Sequence, residues 1–318
     1  MNDQQTIINN ARGFANQLNW LSETVPILPR LAPGFLRREL IHSLQLDGSQ
    51  LTLNQWLQVE LLGSLDDDLD SEHVAIMRRA LRAFHVLSKD VDGAINIDEL
   101  HLLYQRVGGD DAVAWVNSSE SPVASVLKLL NRAQDLPRLA RIGILYARLA
   151  INAPDQLSSK VASRLIIPIV SCEWRLLQLP LLSMSDYFLL NQKKYHNFLT
   201  LIKHDNNMTP WLEFFLQGAV GVLDDVVGRL QRMLALVDKD YQLLMTSKRG
   251  SLILARLFDK LIRHPVVTVA SVAEGLQTTK PTATKAINSF EKMGILTEIT
   301  GRGRDRIYQY QAFLDEFK

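Results

Sequence analysis

The chain has 318 residues, 47% hydrophobic and 22% charged, with a formal net charge of +1. At roughly 100–200 residues per domain such a chain suits two domains, each able to bury a core without staples. Its single cysteine, Cys172, excludes an intrachain disulfide framework and a cysteine metal cluster. The N-terminus lacks a basic-then-apolar leader and no run of about 18 apolar residues occurs, so neither secretion nor membrane spanning is expected and a cytoplasmic location is.

The near-neutral total hides an asymmetry, because residues 245–318 carry 12 Lys and Arg against 7 Asp and Glu. A basic C-terminal quarter points weakly to a polyanionic partner. Over residues 1–240 apolar side chains recur with the helical period. "HVAIMRRALRAFHVL" places Val74, Met77, Leu81, Phe84 and Leu87 on one helical face, and "DELHLLYQRV" and "LPRLARIGILYARLAI" behave likewise. Polar breaks such as "SLDDDLDS", "GGDD" and "DNNMTP" supply turn and helix-start chemistry. "AVAWVNSSESPVASV", residues 112–126, predicts a short hairpin, since β-branched and aromatic residues flank a polar turn.

"SKDVDGAINIDE", residues 88–99, has part of the spacing of an EF-hand calcium loop, with Asp90, Asp92, Gly93, Ile95 and Glu99 at the third, fifth, sixth, eighth and twelfth places. Ser88 stands where the first ligand belongs, and no second loop completes a pair. The same residues make a good helix-to-helix turn, with Asp98 and Glu99 favourable near a helix start, and a turn without metal is the expectation.

From residue 249 the pattern changes. "SLILARLFDKLIRHP" predicts an amphipathic helix stopped by Pro265, "TVASVAEGL" a short helix, and "TTKPTATKAINSFEKMG" a third helix with Pro281 in its first turn and Gly294 at its stop. "ILTEIT" and "RIYQYQ" then predict two strands around the solvated turn "GRGRD". This is the order of a winged helix-turn-helix, whose third helix enters the major groove while the wing follows the phosphates. Thr282, Thr284, Lys285, Asn288, Ser289 and Lys292 would be exposed on the third helix, with Ala283, Ile287 and Phe290 facing the core. Arg302, Arg304 and Arg306 would arm the wing. DNA is the expected partner; the alternative is a module that only packs or dimerises.

"RRELIHSLQLDGSQLTLNQ", residues 37–55, resembles the inhibitory segment of Fic-domain (Fido superfamily) proteins, with Ser43, Asp47 and Gly48 at its motif positions. "INIDELHLLYQRV", the hairpin segment in the place of the family's flap, "RLIIPIVSCEWRLLQLPLLSMSDYFLLNQKKYHNFL" and the winged-helix tail are similar to family elements in co-linear order over residues 30–318. The resemblance implies a mainly α fold: a Fic-like helical domain over residues 1–240 with a short β-hairpin flap, then a winged helix over 241–318.

The resemblance also aligns "APDQLSSKVASR", residues 153–164, with the family's active-site loop His-Pro-Phe-x-Asp/Glu-Gly-Asn-Gly-Arg-x-x-Arg. Only Pro154 and Arg164 match. Ala153 stands in place of the general base and Leu157 in place of the metal-binding acid, while Ser158, Ser159 and Lys160 replace residues of the glycine-rich phosphate cradle. His196 and His204 lie downstream and outside the motif. The implied partner of Arg164 is Asp47, either as a structural ion pair or as part of a vestigial nucleotide pocket lined by Pro154, Ser158, Ser159, Lys160 and Arg164.

The resulting expectation is a catalytically degenerate Fic-like protein that binds DNA as a transcriptional regulator or accessory component, with no required cofactor or metal. The alternatives are a protein AMP-transferase (adenylyltransferase) with altered catalytic residues, using ATP or another nucleotide, and a protein-contact scaffold. A homodimer and a separate protein partner stay open.

Overall fold

The computed structural model describes residues 2–63, 71–87, 97–108, 114, 115, 126, 128, 135–246 and 252–318. Contacts divide the chain into two compact units that do not follow sequence order: Met1–Leu51 with Asp70–Val227, and Thr52–Leu69 with Gly228–Lys318. The expected division at residue 240 falls inside one helix, Thr209–Thr246.

In the first unit the described elements are all helical: α1 (Asn2–Thr24), α2 (Leu28–Leu46), α4 (Ser71–Leu87), α5 (Ile97–Gly108), α6 (Arg138–Asn152), α7 (Leu157–Glu173), α8 (Ser185–Leu190), α9 (Gln192–Asp205) and the first half of α10 (Thr209–Thr246); α3 (Leu53–Leu62) belongs to the other unit. Helix α7 is the axis of the core. It packs on α2, α4, α5 and α6, and from Val161 to Ser171 every side chain is buried. "VASRLIIPIVS" is therefore apolar or small almost all round, as a helix enclosed on every side must be.

Two close approaches hold the neighbours. A Cβ on Gly143 of α6 would meet Phe215 Cδ1 at 2.7 Å, so only glycine lets α10 sit this near, and the Trp211 indole donates to the Gly143 carbonyl at 3.0 Å. Tyr146, Phe188, Tyr195, Trp211 and Phe214 form a cluster with ring centroids 4.8–6.2 Å apart.

On α4 the residues that reach the core are Ile76, Met77, Ala80, Ala83 and Phe84, with Val74 and Leu81 half-buried at the edge of that face. The hairpin candidate lies mostly outside the described residues. Where it is described, at Ala114, Trp115 and Val126, the backbone is helical rather than extended. Trp115 meets the buried Tyr104 edge-on at 5.3 Å, a tertiary contact that outweighs the residue's strand preference.

The second unit assembles α3, the second half of α10, α11 (Leu252–Arg263), β1 (Val266–Thr268), α12 (Val269–Gly275), α13 (Lys280–Lys292), β2 (Thr297–Glu298), β3 (Ile307–Gln309) and α14 (Gln311–Asp315). The sheet is antiparallel with order β1-β3-β2, pairing Val267 with Tyr308 and Glu298 with Tyr308. Strand β1 was not expected, because "VVT" is too short to show a period of two before Thr268 caps the next helix. The Thr268 hydroxyl accepts from Ser271 N at 3.1 Å, and the Ser271 hydroxyl accepts from Thr268 N in return at 3.0 Å.

Helix α3 is amphipathic and starts with its own capping box between Thr52 and Gln55. Leu57 joins Val266, Ile307 and Leu314 in one buried cluster, with Leu53, Leu61 and Ile299 packed against it. The Tyr310 hydroxyl donates to the Asp240 carboxylate at 2.5 Å, and Arg229 Nη1 donates to the Glu316 carbonyl at 2.6 Å, tying the chain's end to α10. Among the described residues no helix is long and apolar enough to cross a membrane.

Candidate functional site

Helix α2 ends in a Schellman arrangement: Ser49 N donates to Leu44 O at 3.1 Å and Gly48 N to Gln45 O at 3.0 Å, with Gly48 at φ +96°. The left-handed turn needs glycine, and it fixes Asp47 at the helix C-cap. Arg164, one turn into the buried part of α7, reaches this end. Its Nε donates to Ser43 Oγ at 2.7 Å, and its Nη2 donates to Ser43 O at 3.0 Å and to the Asp47 carboxylate. The side chain is 2% exposed. Burial works against its charge, but the surrounding oxygens of Tyr195 and Asp47 more than offset this and raise its pKa.

Beside this pair lies a cavity of about 460 Å³, lined by Asp47, Tyr146, Ala153, Pro154, Lys160, Arg164, Tyr195 and Lys203 among others. Lys160 Nζ is 2.6 Å from Asp155 Oδ1 and 3.7 Å from Asp47 Oδ1, and it holds the exposed Asp155 carboxyl below the usual carboxylate range. The Tyr146 and Tyr195 hydroxyls are 2.7 Å apart on the buried wall, and burial raises Tyr146 well above the usual phenol value.

The loop between α6 and α7 is Ala153–Gln156. Ala153 is the C-cap of α6, in extended backbone, and offers a methyl group to the cavity. Leu157 opens α7. Pro154, Lys160 and Arg164 line the cavity; Ser158 and Ser159 do not. Both are buried, Ser158 Oγ donates to Gly108 O at 3.0 Å, and neither belongs to the lining. The Ser159 hydroxyl donates instead to Gln156 Oε1 in the loop before α7, at 3.5 Å. Ser43 acts through Arg164 and Gly48 through the turn.

His196 lines the cavity, but its Nδ1 is 2.9 Å from the Gln192 carbonyl, a contact made within its own helix. Tyr195, Thr200 and Lys203 are lining residues that sequence reasoning passed over. Their spacing on α9 was the available signal. Residues 88–96 of the EF-hand candidate lie outside the described residues, and Glu99 falls in α5. Among the described residues no group of three or more His, Cys, Asp or Glu is placed to hold a metal ion.

In the second unit α13 is capped by Thr279, whose hydroxyl accepts from Thr282 N at 3.4 Å, and it buries Ala283, Ala286, Ile287 and Phe290. Lys285, Asn288 and Lys292 are exposed, whereas Thr282 and Thr284 are half-buried. The Thr284 hydroxyl is spent on the Lys280 carbonyl at 2.9 Å and that of Thr282 pairs with Thr279, so these two are less free to contact a ligand. Arg302, Arg304 and Arg306 are all exposed between β2 and β3. Glu298 accepts from the Thr300 hydroxyl, from Thr300 N at 2.7 Å and from Gly301 N at 3.0 Å, which lowers its pKa and organises the turn through Gly301 at φ +61°.

A family model described as an HTH DNA binding domain matches residues 254–308. Among curated proteins, none matches the sequence. Among solved structures, a Fic family protein from Desulfovibrio desulfuricans G20 superposes with a TM-score of 0.56 at 13% identity, covering 96% of this chain and 94% of that one. A Fic-1 fragment from C. elegans does so with 0.56 at 13% identity, covering 71% of this chain and 72% of that one. The chain has a Fic-like fold.

Within this Fic-like fold the helix end bearing Ser43 and Asp47 and the helix bearing Arg164 meet at one wall of the cavity, and Ala153 and Leu157 occupy the loop beside it. The residues matched by the HTH model include the exposed Lys285, Lys292, Arg302, Arg304 and Arg306.

Proposed function

We propose that this chain is a cytoplasmic DNA-binding regulator, or the DNA-binding accessory of a larger system, whose Fic-like domain no longer performs nucleotidyl transfer. The observation that carries the reading is the loop after α6. At the two positions where the resemblance implies a base and a metal-binding acid, the side chains are a methyl and an isobutyl group, and neither accepts a proton or binds a cation. The cationic wing and the exposed Lys285 and Asn288 support the DNA-binding half.

No cofactor is required. A nucleotide entering the cavity beside Arg164 and Lys160 would act as an effector, displacing Asp47, rather than as a substrate. Two copies would suit a two-fold DNA site, and a separate protein partner would fit the accessory role.

Selection of genomic fragments by the purified protein tests the reading, with enrichment of a defined site expected. Incubation with labelled ATP and Mg²⁺, alone and with cell extract, tests the other half. No label should reach any protein. Transfer of label would restore the AMP-transferase alternative.

A further inference from the structure

The helix before β1 carries a row of cations apart from those of the wing and α13. In "LILARLFDKLIR" the apolar positions Leu254, Leu257, Phe258, Leu261 and Ile262 are buried. That leaves Arg256, Lys260 and Arg263 on the opposite side, four and three residues apart and so stacked along one face of α11. At a rise of about 1.5 Å per residue the row is about 10 Å long. Arg256 and Arg263 are exposed, and Lys260 is half-buried.

A groove of about 490 Å³ lies beside this row, lined by Arg256, Asp259, Lys260, Arg263 and His264, and by Gly275 at the end of α12, among others. The one acid among the lining residues is Asp259, whose carboxylate is 3.6 Å from Arg263 Nη2. Among the described residues no carboxylate pairs with Arg256 or Lys260. Three fixed cations therefore share one carboxylate.

Lys260 is held in position by the missing side chain of Gly275. A Cβ on Gly275 would stand 2.4 Å from Lys260 Nζ and 3.3 Å from its Cε, so glycine lets the ammonium lie against the last turn of α12. Gly275 is helical and has no positive φ, so it is the space, not the backbone, that calls for glycine. The carbonyl end of a helix also favours a cation there.

We infer that the groove between α11 and the end of α12 binds phosphate groups, with Arg256 and Lys260 as its principal donors. A guanidinium fork and an ammonium point charge both suit phosphate oxygens. The phosphate can come from a DNA backbone or from a free phosphate-bearing molecule. Along one DNA strand a phosphate recurs about every 3.4 Å of axis, so the row spans two or three of them, and the first helix of a helix-turn-helix pair, here α12, is the one that crosses the backbone. A free diphosphate needs only Arg256 and Lys260. The DNA source rests on the reading of the chain as DNA-binding; the free source does not.

The test compares the full chain with Gly275→Ala and Lys260→Gln. Gly275→Ala keeps every charge and fills the space that Lys260 Nζ occupies; Lys260→Gln removes the charge, keeps the glycine, and stands in should Gly275→Ala disturb α12. Calorimetric titration with inorganic pyrophosphate is set beside the salt dependence of affinity for the DNA fragment that the wild-type protein selects. A fragment bound more weakly by both variants, with the slope of log affinity against log salt flattened by about 0.9, assigns the phosphate to the DNA backbone. Pyrophosphate bound about ten-fold more weakly by both variants, with DNA affinity unchanged, assigns it to a free molecule. Pyrophosphate and DNA binding that neither variant alters, as binding in the cavity beside Arg164 would give, overturns the inference. If the wild-type protein selects no DNA, the regulator reading fails, and the pyrophosphate comparison still decides the groove.

Discussion

Arg164 shows how a buried cation is held beside a loop that runs from Ala153 to Gln156. Its Nε and Nη2 are answered by Ser43 and Asp47, and the only other cation near Asp47 among the described ion pairs is the half-exposed Lys160, 3.7 Å from Oδ1. Removing one partner of such a pair leaves the other uncompensated, so Arg164→Ala should cost about 3–5 kcal/mol in urea denaturation, and a loss under about 1 kcal/mol would contradict the arrangement. Glu39 is the second buried charge of consequence. Its carboxyl accepts from Ser185 N at 3.0 Å and Ser185 Oγ at 2.6 Å, yet burial outweighs these bonds and pushes its pKa up to about 7. The folded state therefore holds this proton more tightly than the unfolded chain does. The stability it contributes is complete below pH 4.5 and is lost as pH rises towards 7, by roughly 3 kcal/mol in all. Glu39→Gln should flatten that decline in chemical-denaturation curves taken between pH 5 and 8; an unchanged slope would assign the decline elsewhere.

At the scale of elements, the legible features were those with local chemistry. Gly294 marks a helix end because only glycine takes its positive φ cheaply, and "GRGRD" announces a turn because no core could accept it. The Asp47–Arg164 contact could be anticipated only from the resemblance, since 117 residues separate the two. The place of α3 was not legible at all. "LNQWLQVELL" declares an amphipathic helix, but periodicity says nothing about which apolar surface will receive it, and its receptor, Val266 with Ile307 and Leu314, lies some 200 residues further on. Leu57→Ala should therefore destabilise the winged-helix unit by about 2–5 kcal/mol, seen as earlier melting of the Tyr310 environment by hydrogen exchange rather than of α7. On α13, Lys285→Ala or Asn288→Ala should cost about 1–3 kcal/mol on the selected site and relax its sequence preference if the side chain reads a base edge. Thr284→Ala should cost less, because the Thr284 hydroxyl already serves Lys280.

For the whole molecule, a Fic-like helical fold and an HTH domain occur in one chain whose excess of positive charge lies at the HTH end. The helical unit has a cavity and an anchored arginine beside it, and the wing presents three guanidinium groups without burying any of them. Their role is read most directly by the salt dependence of DNA affinity. Each phosphate contact contributes a slope of about 0.9 in log affinity against log salt, so the triple variant Arg302→Ala, Arg304→Ala, Arg306→Ala should bind the selected fragment more weakly, with a slope flattened by up to about 2.7. Unchanged affinity and slope in that variant would remove the wing from DNA contact and leave the C-terminal unit a protein-contact module.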